Sequence, residues 1–277
     1  MRFARFWHHN LRWVLIFWVA ISFSFRTGVV IFGIGFAAWI LMVYFTAPGI
    51  FWTYVYALPF NSNNPKRAVK ILQKAISYKP LVPLPYTMLG AAHVRAKRYR
   101  EAIPILEEAI RLETRKTVSS IKTILAVAYR ETGQYEKTYA LLNELVGKGI
   151  RNLKIYYNYG LCFLRQGRLD EALKAAETAR SFNINQIEPV LLLGKIYFDK
   201  GQMQAAKENF GWAIKRNQHL VEPYYWLGRA ELELGQFETA VNHLRLAADK
   251  IAKDPLLSEV TLAEAEKWLK QAETGGK

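Results

Sequence analysis

Few residues in this chain have the types and spacing that catalysis or metal binding requires. Cys162 is the only cysteine, so we expect neither a disulfide nor a thiolate metal site. No histidine is spaced with a carboxylate as a zinc or acid–base site would need, and no phosphate-binding loop or G-x-S-x-G motif occurs. We therefore expect no enzymatic activity, no cofactor and no metal. The five histidines of the chain are His8, His9, His93, His219 and His243.

Basic side chains form the clearest charged pattern, and they gather in the N-terminal part. The formal net charge is +15, and the first acidic residue is Glu101. Lys66, Lys70 and Lys74 are spaced four apart, which places them on one face of a helix. This stripe is either a solvated face or a contact surface for anionic lipid head groups. Because no nucleic-acid-binding motif accompanies it, we do not expect a nucleic-acid partner.

Two long apolar segments precede this stripe, at about residues 11–25 and 29–47. The second has 19 uncharged residues, which span about 28 Å as a helix, close to the thickness of a bilayer core. Basic residues flank the pair of segments, and only Arg26 lies between them. Since basic residues favour the cytoplasmic side, the sequence predicts a transmembrane helical hairpin with both termini in the cytoplasm. The expected localisation is a multi-pass protein of the plasma membrane.

The rest of the chain repeats with a period of 34 residues. One series of glycines keeps this spacing, and we expect each to end a helix in the left-handed backbone conformation. A second series lies inside the preceding helix, where a small residue would let two helices approach closely. Each repeat therefore predicts two amphipathic helices joined by a turn. The first series is Gly133, Gly167, Gly201 and Gly235, and the second is Gly90, Ala126, Gly160, Gly194 and Gly228.

This pattern resembles the tetratricopeptide repeat (TPR) family, whose motif is W-x2-L-G-x2-Y followed by A-x3-F and a further alanine. The best-matching positions are Leu193, Gly194, Tyr197, Ala206, Phe210 and Ala213. The resemblance implies an all-α fold in which a right-handed TPR α-solenoid with a C-terminal capping helix follows the transmembrane hairpin. The resemblance further suggests a bacterial membrane-anchored TPR protein.

The repeat register predicts four parts in the chain. Residues 1–48 form the membrane anchor, and residues 49–82 form a degenerate first repeat with a membrane-proximal basic helix. Residues 83–254 form five repeats, and residues 255–277 form the capping helix and tail. The five repeats are 83–118, 119–152, 153–186, 187–220 and 221–254.

The resemblance also implies that the first helix of each repeat lines a concave groove that binds a partner. The fifth, ninth and twelfth positions of the repeats are mostly apolar or aromatic, with a few cations. Lys195 and Arg229 favour a protein or peptide partner that mixes apolar and acidic residues. Some of these positions are expected to be core between helices. The candidate partner-binding residues are Arg130, Tyr157, Leu161, Leu191, Lys195, Phe198, Tyr225 and Arg229.

The sequence thus predicts a membrane-anchored TPR adaptor or scaffold that binds a protein or peptide at the cytoplasmic face of the membrane. Two alternatives remain open. One is an assembly factor for a membrane or envelope complex, which contacts its client through the hairpin. The other is a self-oligomerising TPR scaffold. The sequence does not specify an oligomeric state.

Overall fold

A computed structural model describes residues 37–45, 47–57, 65–113, 118–254 and 260–275. Residues 37–45 are helical. The helices that follow are α1 Pro48–Ala57, α2 Pro65–Ser77, α3 Pro83–Arg95, α4 Tyr99–Leu112, α5 Val118–Glu131, α6 Tyr135–Gly147, α7 Leu153–Arg165, α8 Leu169–Phe182, α9 Ile187–Asp199, α10 Met203–Arg216, α11 Glu222–Glu233, α12 Phe237–Lys253 and α13 Leu262–Gly275. The chain divides into two compact units, Met1–Gln134 and Tyr135–Lys277.

The turns within the repeats use glycine for its backbone conformation. Gly133, Gly167, Gly201 and Gly235 have φ values of 77°, 71°, 74° and 70°. This left-handed region carries a steric penalty for residues with a Cβ, and glycine avoids it. Between α3 and α4 the same conformation is adopted by Lys97, with φ 57°. The explanation given for the first glycine series is therefore confirmed.

The second glycine series leaves room for large side chains of the following helix. A Cβ on Gly90 would lie 2.4 Å from Leu106, and one on Gly194 would lie 2.5 Å from Phe210. Both distances are far below normal van der Waals contact. At both glycines the close neighbour is a side chain of the second helix. Leu106 and Phe210 are themselves fully buried.

The first unit packs α1 to α5 in succession, each helix against the next. Ala68, Leu72 and Ala75 on one face of α2 are buried, and the core there continues into Leu89 of α3. Burial of this apolar face is what holds α2 in place, since hydrophobic burial dominates the stability of short helices in proteins. The opposite face of α2 carries its basic residues.

The second unit contains three complete helical pairs, α7–α8, α9–α10 and α11–α12. Alanines of the second helices, such as Ala172, Ala206 and Ala240, are fully buried against the first helices. The last helix, α13, packs against α12 and buries Ala265 and Ala272. The start of α13 is fixed by a capping box, in which Glu264 N donates to Thr261 Oγ1 at 3.3 Å and Thr261 N donates to Glu264 Oε2 at 2.9 Å.

The structure corrects the prediction of a membrane anchor. Residues 11–25 and 29–36 lie outside the described residues, whereas 37–45 are helical and Val43 is only 3% exposed. Within the described ranges, no helix is both long and apolar enough to cross a bilayer. The transmembrane hairpin, and the plasma-membrane localisation inferred from it, are therefore wrong for the part of the chain that the structure describes. Leu41 and Phe45 of the same helix are 56% and 76% exposed, and an apolar run alone does not identify what, if anything, covers it.

Candidate functional site

An open groove of about 320 Å³ lies beside the first helices of two successive repeats in the second unit. Its apolar lining comes from Ile187, Leu191 and Leu192 of α9 and from Leu220, which precedes α11. Its polar lining is provided by Tyr157, Glu188, Lys195, Asn217 and Glu222. We call this set of residues the α7–α9 groove. An apolar surface with a few polar groups beside it is the usual composition of a binding site.

The charges in the α7–α9 groove are partly neutralised within the protein. Lys195 Nζ lies 2.5 Å from Glu222 Oε1, which joins α9 to α11. Both side chains are about a quarter exposed, at 23% and 27%. Glu188 is exposed and has no side-chain partner among the described residues. The groove therefore presents one unpaired carboxylate and no unpaired cation in the part of the chain that the structure describes.

Arg229 lies in a cluster of aromatic rings and not in the α7–α9 groove. Its guanidinium carbon is 4.1 Å from the ring centre of Trp268, 4.8 Å from Phe198 and 5.2 Å from Trp226. Its Nε is buried without a hydrogen-bond partner. We call these residues, with Tyr225 at 5.9 Å, the arginine cluster. The cluster connects α9, α11 and α13 through cation–π contacts.

Asp199 lies at the end of α9, within the electrostatic reach of two cations. Partial burial raises the pKa of its carboxyl group, and Arg229 and Lys195 oppose that shift. The net shift is upward, so desolvation outweighs the attraction of the two cations. The contacts of Arg229 in the described residues are accordingly with aromatic rings, and it forms no ion pair with Asp199 there.

The predicted partner-binding residues fall into separate places. Tyr157, Leu191 and Lys195 line the α7–α9 groove. Phe198, Tyr225 and Arg229 belong to the arginine cluster, where Tyr225 is only 5% exposed. The two remaining residues, Leu161 and Arg130, belong to neither.

Leu161 and Arg130 have structural surroundings of their own. Leu161 is half-buried against the core around Ala172 and Leu192. Arg130 belongs to the first unit, is 7% exposed, and forms an ion pair of 2.7 Å with Glu131. A partner-binding role for the eight residues remains a prediction; the structure brings three of them together in the α7–α9 groove and three others in the arginine cluster.

The predicted lysine stripe lies on α2 in the first unit. Lys70 and Lys74 line an open groove of about 410 Å³ together with Trp52, Val55, Arg67 and Ile71. We call this set the α1–α2 groove. Lys74 Nζ lies 4.0 Å from the ring centre of Trp52. The side chain of Lys66 lies outside the described residues.

The sequence did not predict six of the groove residues, which are Ile187, Glu188, Leu192, Asn217, Leu220 and Glu222. The repeat register contains a signal for one of them. Lys195 is at the ninth position of its repeat and Glu222 is at the second position of the next, so successive first helices bring the two together. An acidic residue at position two after a cation at position nine would have predicted their ion pair.

The described residues offer no alternative catalytic arrangement. Within them, no group of three or more His, Cys, Asp or Glu side chains could hold a metal ion. Cys162 is fully buried in α7. His243 Nδ1 lies 2.6 Å from Glu231 Oε2, but that carboxylate is only 3% exposed. Lys207 Nζ also lies 3.4 Å from Glu231, so this carboxylate is held between two basic side chains.

The fold and the groove define a helical repeat protein, and family models identify its repeats. Tetratricopeptide repeat models match residues 85–115 and 191–255. The model for the anaphase-promoting complex, cyclosome, subunit 3 matches residues 112–179. Together with the structural neighbours, these matches support membership of the tetratricopeptide repeat family. The tetratricopeptide resemblance predicted from the glycine and alanine spacing is thereby supported, whereas a membrane-anchored bacterial protein is not shown by these matches.

Solved structures share the fold at low sequence identity. The APC/C hetero-tetramer Cut9-Hcn1 has a TM-score of 0.68 at 14% identity, over 84% of this chain and 44% of its own. A thermophilic TPR protein of Thermus thermophilus has a TM-score of 0.58 at 19% identity, over 70% of this chain and 100% of its own. A tetratricopeptide repeat protein of Parabacteroides merdae has a TM-score of 0.58 at 16% identity, over 82% of this chain and 98% of its own.

The chain therefore spans less than half of the Cut9-Hcn1 chain that it matches. No curated protein matches the sequence at a significant level. At these identities the structural similarities establish the fold alone.

Proposed function

We propose that the protein is a binding scaffold whose α7–α9 groove holds a short apolar segment of a partner protein. The observation that carries this proposal is an open groove beside successive first helices, in which four apolar residues share the lining with five polar ones. Leu191 lines the groove, is half-buried, and packs against the core around Ala206, Phe210 and Leu227. A partner side chain placed there would remove further apolar surface of the groove from water.

The size of the groove favours a protein segment over a large cofactor. Its volume of about 320 Å³ is at the lower end of the roughly 300–1,000 Å³ typical of small-molecule sites. One or two side chains of a partner fill such a space.

The charges in the α7–α9 groove favour a partner whose apolar anchor residue has no acidic residue next to it. Lys195 is neutralised by Glu222, so an acidic partner would have to compete with an ion pair that already exists. Glu188 repels carboxylates and attracts a basic side chain at the same edge. The α7–α9 groove therefore does not favour the acidic residues that the sequence predicted for the partner.

Comparison with known structures is consistent with a scaffold. Cut9-Hcn1 is a hetero-tetramer, so a protein of this fold assembles there with another chain. Of the alternatives, an assembly factor that acts through a membrane hairpin loses its basis with the corrected hairpin. A self-oligomerising scaffold is separated from a partner-binding one by the experiment below, because self-capture shows the same chain as its own partner.

The proposal is tested by partner capture with variants of the groove. Immobilised protein is incubated with lysate of the source cells, and bound proteins are identified for the native chain and for Leu191→Glu. We expect the variant to lose its principal partner by about tenfold or more, because a carboxylate in an apolar site costs over 2 kcal/mol. Leu246→Glu, which changes a 40% exposed leucine of α12, is the matched control and should retain the partner.

A second variant guards against loss of folding. Glu188→Lys changes an exposed residue at the edge of the groove, so its melting temperature should equal that of the native chain. The Glu188→Lys substitution should nevertheless change partner capture, because it reverses the one unpaired charge of the groove. Unchanged capture by well-folded Leu191→Glu and Glu188→Lys proteins would contradict the proposal.

A further inference from the structure

The α1–α2 groove combines an aromatic ring with lysines that have no carboxylate partner. Trp52 and Val55 come from α1, and Arg67, Lys70, Ile71 and Lys74 come from α2. The opposite face of α2 is buried against α3 through Ala68, Leu72 and Leu89. The basic face is therefore held in a fixed orientation by packing behind it.

Four of the five acidic residues of the first unit contact groups other than these lysines. Residues 1–134 contain 18 Lys or Arg and 5 Asp or Glu, and all five acids follow residue 100. Glu101 contacts His93 and Arg98, Glu107 accepts from Tyr129, Glu108 pairs with Arg111 and Glu131 with Arg130. Lys70 and Lys74 form no ion pair with any described residue. Within the described part of the chain, Lys70 and Lys74 thus bring uncompensated positive charge to the groove.

We infer that the α1–α2 groove binds an extended acidic segment of a partner protein that also carries an apolar side chain. The inference concerns a different surface from the α7–α9 groove and does not depend on its role. The lysines would pair with carboxylates by charge-assisted hydrogen bonds. Trp52, Val55 and Ile71 would take the apolar side chain.

The spacing of the lysines defines the spacing of the acids. Lys70 and Lys74 are separated by one helical turn, a rise of about 6 Å. In an extended chain, residues i and i+2 point to the same side and lie roughly 6.5–7 Å apart. The segment that fits therefore has carboxylates at alternate positions, with the apolar residue at the next position on the same side.

The position of Lys74 argues for a peptide and against a single-stranded nucleic acid. Its ammonium group lies over the ring of Trp52 at 4.0 Å and occupies a face on which a base would stack. Binding of single strands by aromatic residues depends on such free ring faces. A carboxylate, in contrast, can pair with Lys74 while the ammonium stays over the ring.

The inference is tested with full-length protein and a fluorescein-labelled peptide, Leu-Ser-Glu-Ser-Glu, by fluorescence anisotropy at low salt. We expect binding that weakens as salt rises, because screening shortens the range of exposed charges. A peptide with Gln for both Glu should bind roughly fivefold to tenfold more weakly, as expected for the loss of two exposed ion pairs. The Lys70→Gln/Lys74→Gln variant should lose binding to the same degree.

The matched control removes two exposed lysines from the other unit, Lys215→Gln/Lys270→Gln. It lowers the net charge by the same amount, so it measures non-specific attraction alone and should keep native affinity. Equal weakening by both double variants would overturn the inference, as would equal affinity for the Gln peptide. Tighter binding of a labelled five-nucleotide single strand than of the acidic peptide would also overturn it.

Discussion

The two grooves differ in what happens to their cations. In the α1–α2 groove, Lys70 and Lys74 have no carboxylate partner among the described residues. In the second unit, Lys195 pairs with Glu222 and Arg229 is surrounded by aromatic rings. Lysine and arginine side chains that the sequence does not distinguish thus have different roles in the two units. Those of the second unit connect helices, whereas those of α2 remain available to a partner.

The composition of the two units explains this difference. Residues 1–134 have 18 basic and 5 acidic side chains, and residues 135–277 have 20 and 18. A lysine in the second unit is therefore rarely far from a carboxylate. Net charge alone cannot show which lysines are available for binding, because pairing depends on which helices are neighbours.

The largest expected effect is the loss of the arginine cluster. Arg229→Ala removes cation–π contacts with Phe198, Trp226 and Trp268 and leaves a cavity beside α13, so we expect a loss of about 2–3 kcal/mol in the free energy of unfolding. Lys74→Ala removes one exposed contact with Trp52 and should cost under about 1 kcal/mol. Urea unfolding measures both. Equal losses would show that the cations of the two units do not differ in structural role.

Glycine packing should be the same in both units, which sharpens the contrast in charge. Gly90→Ala and Gly194→Ala each force a Cβ against a buried side chain, and we expect each to cost about 1–2 kcal/mol after the gain in helix propensity. Gly211→Ala in α10 meets nothing within 4 Å and should stabilise the protein by roughly 0.5–1 kcal/mol.

Thermal or urea unfolding of the three glycine variants measures these effects. If Gly90→Ala were neutral while Gly194→Ala was destabilising, the two units would differ in packing as well as in charge. A destabilising Gly211→Ala would mean that helix interiors of this chain resist alanine for a reason other than contact.

The smallest expected effect is a dependence of stability on pH, which originates in His93 of the first unit. Burial lowers the pKa of His93, although Glu101 lies 3.1 Å from its Nδ1 and favours the charged form. The contact lacks hydrogen-bond geometry, so burial dominates. The unfolded chain then binds a proton at higher pH than the folded one. Stability should therefore fall as pH drops below about 6.5, by at most about 1.4 kcal/mol per pH unit.

Urea unfolding at pH 7.5 and 5.5 checks this dependence. His93→Gln should reduce the loss of stability at pH 5.5, whereas His219→Gln, which changes an exposed histidine, should not. The same loss in the native chain and in His93→Gln would assign the pH dependence to another group.

Features that repeat along the sequence could be predicted, and features that depend on single contacts could not. The positive φ of Gly167 and Gly201 and the buried position of Gly194 follow from a fixed period, because every repeat needs the same turn and the same close contact. The ring of Trp268 against Arg229 involves a helix outside the repeat pattern, so no period indicates it. The apolar run at 29–47 led to the wrong prediction of a membrane anchor. Hydrophobicity does not identify what buries a residue.

The repeat period also predicted part of the candidate site. Tyr157 and Leu191 occupy matching positions in successive repeats, and the structure places both in one groove. Tyr225 occupies the matching position of the next repeat but is buried, because α12 and α13 cover that end of the solenoid. Residues between the helices, such as Asn217, have no periodic signal and were missed.

The central claim, that the α7–α9 groove holds a segment of a partner protein, is tested most directly by site-specific photocrosslinking. A photoreactive phenylalanine analogue is placed at position 191 of the full chain, or at position 246 of α12 as the control. The account predicts a crosslinked partner from position 191 alone, attached through one short apolar segment and lost when Glu188→Lys is added. Crosslinks from position 246 at equal yield, or none from position 191 while the partner still binds, would contradict it.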